Sequence, residues 1–257
     1  MRASSDEHLH VEALGVTFAV SAEDPRLRRL AGRAWAAAST EPRDGCPVVK
    51  APDLDADADD DDVATALQLL TQLITYRAIA ARAGHLTMFH AGGLCDQVTG
   101  ATVALVAPGG TGKTTAIRTL GHGRGYVTDE TVGLASDGSI VPYCKPLSIR
   151  RPDDPGLKDE VSPLALGLSP PSVPPWLAGI VLLRRDREPG RGVLIEDVDI
   201  LDALVLLAPE TSSLYRFDRP LHHLAAIVQS VGGLRRVRYH DAQDLEPLVD
   251  EIVGRSR

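Results

Sequence analysis

The chain has 257 residues, of which 44% are hydrophobic and 24% charged, the balance of a globular protein with a sizeable core. Asp and Glu (35) outnumber Lys and Arg (27), the net charge is −8 and aromatics are only 4%, which argues against a protein that wraps nucleic acid or stacks its bases. No run approaches the roughly 20 apolar residues that cross a bilayer, and no apolar run follows the polar start Met1 to Asp6, so neither a membrane span nor a signal peptide is expected.

Leu9 and Val11, then Val16, Phe18 and Val20, alternate with the period of a half-buried hairpin. Asp24-Pro25 opens a helix with the apolar stripe Leu27, Leu30, Ala31 and Ala34. Residues 41–62 read as a loop. Its seven aspartates between Asp53 and Asp62 are not an EF-hand, because the positions that need Gly and Glu hold Ala58 and Ala64. They read as a solvated acidic loop whose last Asp caps a helix over 63–83. Short strands are expected at 86–90, 94–96 and 102–106, with hairpins near 92–104 and 132–141 (turn Asp137-Gly138). Seven prolines between Arg151 and Pro175 exclude a helix there and suggest a surface excursion or a lid. Beyond them come strands at 179–183 and 193–196 around a charged turn, Arg184 to Arg191. Helices at 199–207 and 220–231, a strand at 235–239 and a terminal helix over 241–253 complete the chain. The three cysteines, Cys46, Cys95 and Cys144, lack metal-type spacing and read as free thiols of a reducing cytoplasm.

The strongest signal is Ala107-Pro108-Gly109-Gly110-Thr111-Gly112-Lys113-Thr114, a Walker A pattern with Ala in place of its first Gly. An apolar strand runs into it and a helix over 113–120 runs out. Such a loop turns backbone N–H groups onto a phosphate, with the positive end of the helix behind them. Gly109, Gly110, Thr111, Gly112, Lys113, Thr114 and Thr115 are the nucleotide-binding candidates. Lys113 would reach the β- and γ-phosphates and the Thr114 hydroxyl would coordinate Mg²⁺. One short β-rich run later stand two adjacent acids, Asp129 and Glu130, at a strand end where such proteins hold the metal and orient the attacking group.

Phe89-His90-Ala91-Gly92, the glycine-rich loop, Val127-Thr128-Asp129-Glu130 and Lys145-Pro146-Leu147-Ser148 follow the order found in HPr kinase/phosphorylase-like proteins. The chain resembles this family of P-loop serine kinases over roughly residues 86–150. The resemblance implies an α/β fold: a P-loop NTPase core with a mixed sheet over 86–257, preceded by a small α/β lobe over 1–85. It implies a cytoplasmic kinase that uses ATP and Mg²⁺ to phosphorylate a hydroxyl, on Ser above all, of a peptide, protein or small molecule. No nucleic-acid or membrane partner is implied, and assembly into a homo-oligomer stays open. Carried over, His90 lies beside the transferred phosphate, Asp129 accepts the hydroxyl proton, and Glu130 helps hold Mg²⁺ where the family usually has a second Asp. Lys145 belongs to a Lys-Pro-Leu segment close to the active site. The glycine-rich signature with its glutamate that follows in the bifunctional enzymes is absent, and the Pro-rich segment stands in its place.

Without the resemblance, other readings stand beside these. Asp129-Glu130 also reads as a Walker B pair in which Glu130 activates water, giving an ATPase or nucleotide-dependent switch, and a non-catalytic nucleotide-binding module is a third reading. Arg150, Arg151 and Arg216 are candidates to steady the transferring phosphate. Arg184, Arg185 and Arg187 read as a solvated hairpin end, His8 and His10 as exposed, and His222-His223 as neighbours on a helix that point different ways. Cys144 reads as a buried or half-buried thiol.

Overall fold

A computed structural model describes residues 8–154, 156–186 and 192–256. Met1 to Asp6, Pro155, Arg187 and the centre of the charged turn therefore lie outside the described residues. The chain divides into two compact units, one joining Met1–Ala81 with Tyr143–Gly167 and the other joining Arg82–Pro142 with Leu168–Arg257. Each is mixed α/β, and the second carries a mixed sheet.

The first unit opens with the expected hairpin, β1 (Leu9–Ala13) and β2 (Val16–Ser21), joined through the left-handed pair Leu14 and Gly15. Helix α1 (Pro25–Ala34) starts on Asp24, whose carboxylate accepts from the N–H groups of Arg26 (2.7 Å) and Leu27 (3.0 Å). β3 (Val48–Lys50) adds in parallel to β2. Helix α2 (Asp60–Arg82) follows the aspartate-rich loop. Its cap is Asp59 rather than Asp62, accepting from the N–H of Asp61 and Asp62.

The second unit begins with β4 (Thr87–Cys95), β5 (Ala101–Val106), α3 (Lys113–Leu120), β6 (Gly125–Thr128), β7 (Thr131–Leu134) and β8 (Ile140–Val141). The chain then returns to the first unit for the hairpin β9 (Leu147–Arg150) and β10 (Lys158–Val161). The expected Pro-rich excursion thus contains a strand and a short 3-10 turn, Pro163–Leu166. Arg151 holds this segment within its unit by pairing with Asp159 and Asp61 (2.8 and 2.5 Å), and Lys50 pairs with Asp53 (3.0 Å), so two of the seven aspartates are ion-pair partners.

The second unit resumes with β11 (Trp176–Arg185), β12 (Leu194–Val198), α4 (Ile200–Leu207), β13 (Thr211–Ser212), α5 (Pro220–Ser230), β14 (Leu234–Tyr239) and α6 (Glu246–Val253). Its sheet runs β12-β14-β11-β5-β4-β7-β8, with β6 and β13 also paired to β4. The centre, β5-β11-β14, is parallel; β5 and most of β11 are nearly continuously apolar and buried, as strands covered on both faces must be, whereas β14 alternates Leu234, Val237 and Tyr239 with half-buried arginines. The flanks are antiparallel. Ala104, Val106, Ile180 and Leu182 join a core cluster with Ala203 and Leu207 of α4 and Leu224 and Val228 of α5. On the opposite face α6 approaches Gly179 and α3 approaches Gly92.

The expected strands 86–90 and 94–96 are one continuous strand through Gly92-Gly93. Both glycines are places where a neighbour needs the space. A Cβ on Gly92 would lie 2.6 Å from Cγ1 of Ile117 in α3, and one on Gly93 would lie 3.1 Å from Val127 and Val132. The terminal helix likewise differs in its start, a 3-10 turn (Ala242–Leu245) preceding α6. Among the described residues no helix is long and apolar enough to cross a membrane.

No disulfide joins the three cysteines, of which Cys46 is half-buried and the other two are buried. Burial, helped by the charge of Asp96, pushes the Cys95 thiol up to about 11. A thiol reagent at pH 8 should therefore label one cysteine of the native protein rapidly and all three in denaturant; fast native labelling of Cys95 contradicts this packing. Gly92→Ala should destabilise by about 1–3 kcal/mol through overpacking against Ile117. Adding Ile117→Val should recover part of that in a denaturant double-mutant cycle, whereas strictly additive effects would rule out the contact.

Candidate functional site

β5 delivers the chain into the loop 107–112 and α3 takes it out. Gly110 (φ 80°) and Gly112 (φ 99°) are left-handed, a conformation that residues with a Cβ rarely adopt. Gly112 is the N-cap of α3, and no side chain caps the helix, so its first N–H groups are left for another acceptor. Thr111 turns inward, its hydroxyl donating to the carbonyl of Pro108 (2.8 Å). Gly109 is exposed.

Lys113 is buried and folds back on the loop, its ammonium donating to the carbonyls of Ala107 and Pro108. Desolvation holds its pKa below the usual lysine value. The charges of Glu210, Asp129 and Glu130 pull the other way, in that order of strength. Three carboxylates thus face one lysine.

The next residue, Thr114, donates from Oγ1 to Oδ2 of Asp129 at 2.9 Å, while the Tyr126 hydroxyl donates to Oδ1 at 3.3 Å. Asp129 is held at the end of β6 because Thr128 pairs with Gly93 of β4 and the Thr128 hydroxyl accepts from the N–H of Glu130 and Thr131. The Glu130 carbonyl accepts from the Ala91 N–H (3.0 Å), fastening the other side of this turn to β4. His90, the preceding residue of β4, bonds through Nδ1 to Oε2 of Glu210 at 3.1 Å, and its N–H donates to the Glu210 carbonyl at 2.7 Å.

Thr115 lines a cavity of about 250 Å³ together with Gly112, Thr119, Arg185, Tyr239 and Gln243. The Tyr239 hydroxyl reaches the Thr111 carbonyl (3.5 Å), and Arg185 donates to the His240 carbonyl (3.2 Å).

The second unit therefore brings together Lys113, Thr114, Asp129, Glu130 and His90. Lys145 belongs to the first unit, where it is 1% exposed and its ammonium donates to the Pro146 carbonyl (2.7 Å). Arg150 and Arg151 also lie in the first unit. Arg216 stacks over the Tyr215 ring at 5.5 Å. His223 bonds Thr87 (2.6 Å) and stacks on Phe217, a structural role. Sequence reasoning missed Glu210, Tyr239 and Gln243 and took Arg185 for a solvated turn. Glu210 follows a helix in an ordinary-looking turn and carries no motif.

The donors present suit Mg²⁺, which takes one or two protein oxygens and fills its other positions with water and phosphate oxygens. Thr114 Oγ1 and the Asp129 carboxylate stand adjacent at the head of α3. Among the described residues no group of three or more His, Cys, Asp or Glu could cage a metal without a ligand's help. The chain matches no known family model, and no curated protein matches its sequence.

A Cβ on Gly112 would make only ordinary contacts, its nearest neighbours being 3.7 and 3.8 Å away, so Gly112→Ala tests the backbone alone. It should cost about 1–2 kcal/mol of stability in a denaturant titration, and no loss would contradict the left-handed loop.

Proposed function

We propose that the protein is a P-loop phosphotransferase of the HPr kinase type. In this reading it moves the γ-phosphate of ATP to a hydroxyl, on Ser above all, of a peptide, protein or small molecule in the cytoplasm. The observation that carries the reading is the 2.9 Å bond from Thr114 to Asp129 at the head of a helix entered through a left-handed glycine loop. A threonine next to the loop lysine, touching an acid at the end of a neighbouring strand, is the arrangement that a metal–nucleotide complex requires.

The loop N–H groups and the uncapped start of α3 would receive the β-phosphate. Lys113 would exchange its loop carbonyls for phosphate oxygens. Burial lowers the pKa of this lysine, and the charges of Glu210, Asp129 and Glu130 oppose that shift. Thr114 and Asp129 would hold Mg²⁺, with Glu130 beside them; bound there, the metal supplies charge neutralisation on the phosphate oxygens. Thr114 and Tyr126 each donate to one Asp129 oxygen and fix the carboxylate in place, where it would also accept the proton of the attacking hydroxyl. The cavity beside Gly112, Thr115 and Thr119 offers space for the nucleoside end.

The test follows the label of γ-labelled ATP, with Mg²⁺ and fractionated cell extract. Label should enter a discrete acceptor and be absent with Lys113→Ala and Asp129→Asn. Lys113→Ala should also weaken ATP binding by about 10–100-fold, the worth of a charged hydrogen bond. Label released only as free phosphate would replace this reading with the ATPase switch, in which Glu130 activates water. ATP binding unaffected by Lys113→Ala would overturn both.

A further inference from the structure

The first turns of α1 carry Arg26, Arg28 and Arg29 and no acid, against the positive end of the helix dipole. Carbonyl groups relieve two of them, Arg26 donating to Ala58 (2.9 Å) and Arg28 to Ala22 (2.7 Å). Arg29 and Arg33 are exposed, and among the described residues neither has a hydrogen-bond or ion-pair partner. They stand four apart on one helix face, where like charges repel.

Both arginines open into a groove of about 470 Å³ built entirely within the first unit. Helix α1 lines it with Arg26, Arg29, Leu30 and Arg33, and α2 lines it with Val63 and Leu67. Leu30 is 38% exposed there, an aliphatic side chain left in water between two guanidinium groups. Arg151 and Asp159 of the same groove satisfy each other (2.8 Å), whereas Asp60, which also lines it, pairs with neither Arg29 nor Arg33. The groove therefore offers two unneutralised cations beside apolar surface, which fits an acidic segment carrying small apolar side chains.

Such a segment stands next to it. The chain turns tightly at 55–58, the Ala58 N–H donating to the Asp55 carbonyl (3.1 Å). Asp55, Ala56 and Asp57 are exposed at the tip, and among the described residues neither carboxylate has an ion-pair partner. Arg26 ties the two features together, since it lines the groove and its guanidinium holds the last residue of the turn. One surface of the unit thus carries a basic hollow beside an acidic projection. A two-fold axis sets a patch against its own rotated copy, so positive beside negative is a self-complementary pattern.

We propose that this face pairs two copies of the chain, the turn at 55–58 of each copy entering the groove of the other, with Asp55 and Asp57 against Arg29 and Arg33. Leu30 and Ala56 leave water in the same contact. The net charge of −8 repels two copies at long range, but fields reach only about 8 Å at physiological salt, so the local pattern decides the encounter. The pairing is independent of the phosphotransferase reading, because every group in it belongs to the first unit.

Sedimentation velocity of the full chain at about 0.15 M salt tests this, with thermal unfolding of each variant as the folding control. Wild type should be dimeric at about 100 µM. The double variant Arg29→Glu, Arg33→Glu should raise the dimer dissociation constant at least about tenfold, and so should Asp55→Lys, Asp57→Lys, because each sets like charges face to face. An equal mixture of the two variants restores opposite charges at both contacts. It should therefore form a heterodimer that neither variant's own dimer matches, a recovery that damage to folding could not produce. A monomeric wild type at that concentration overturns the proposal, as does a dimer that survives both reversals or a mixture that stays monomeric. If the chain is monomeric yet a labelled peptide of residues 52–62 binds it and fails to bind the Arg29→Glu, Arg33→Glu variant, the groove takes an acidic segment of another protein and the pairing of copies is rejected.

Discussion

Helix α3 lies on a strand that has no side chain where the helix crosses it. Ile117 occupies the space a Cβ on Gly92 would fill, and this close seat brings the first turn of α3 down beside the ends of β4 and β6. Every other feature of the cluster depends on that approach. A helix held further out would carry Thr114 out of reach of Asp129, because a hydrogen bond at 2.9 Å leaves only a few tenths of an ångström of slack. The interior is close-packed, so the seat transmits as a rigid constraint.

Strand β4 is the common support. Its first half pairs with β7 and β13 and its second half with β5 and β6, so one strand fixes His90, the turn carrying Asp129 and Glu130, and the level of the loop. Because β13 follows directly on Glu210, the pairing of Thr211 with Phe89 brings that acid to His90. The mixed sheet thus has a division of labour. Its parallel centre supplies the buried apolar platform, and its antiparallel flank gathers polar side chains from distant parts of the chain at one end.

The charges around Lys113 are unbalanced. Glu210, Asp129 and Glu130 face one lysine that itself bonds to loop carbonyls. Such an arrangement favours a cation and a polyanion arriving together, because a phosphate alone would meet three carboxylates and a metal alone would meet the lysine.

Much of this was legible in the chain. The glycine-rich loop is a local pattern: left-handed glycines, a lysine and a threonine within eight residues dictate a loop and a helix start wherever they occur, and α3 spans the expected 113–120. The helix after Asp24-Pro25 was readable for the same reason, since its cap and periodicity are short-range. Gly92-Gly93 misled, because glycine reads as a break unless the helix that needs the space is known. The sequence by itself therefore determined the loop, most of the element types (the short strands β3, β10 and β13 were not legible in it) and the adjacent acids after β6. Only the tertiary structure decided that Glu210, 120 residues from His90, is its partner, that Arg185 and Tyr239 flank the loop, and that Lys145 is buried in the other unit. Local chemistry is written in neighbouring residues, whereas which distant strand lies against β4 is settled by the packing of the whole sheet.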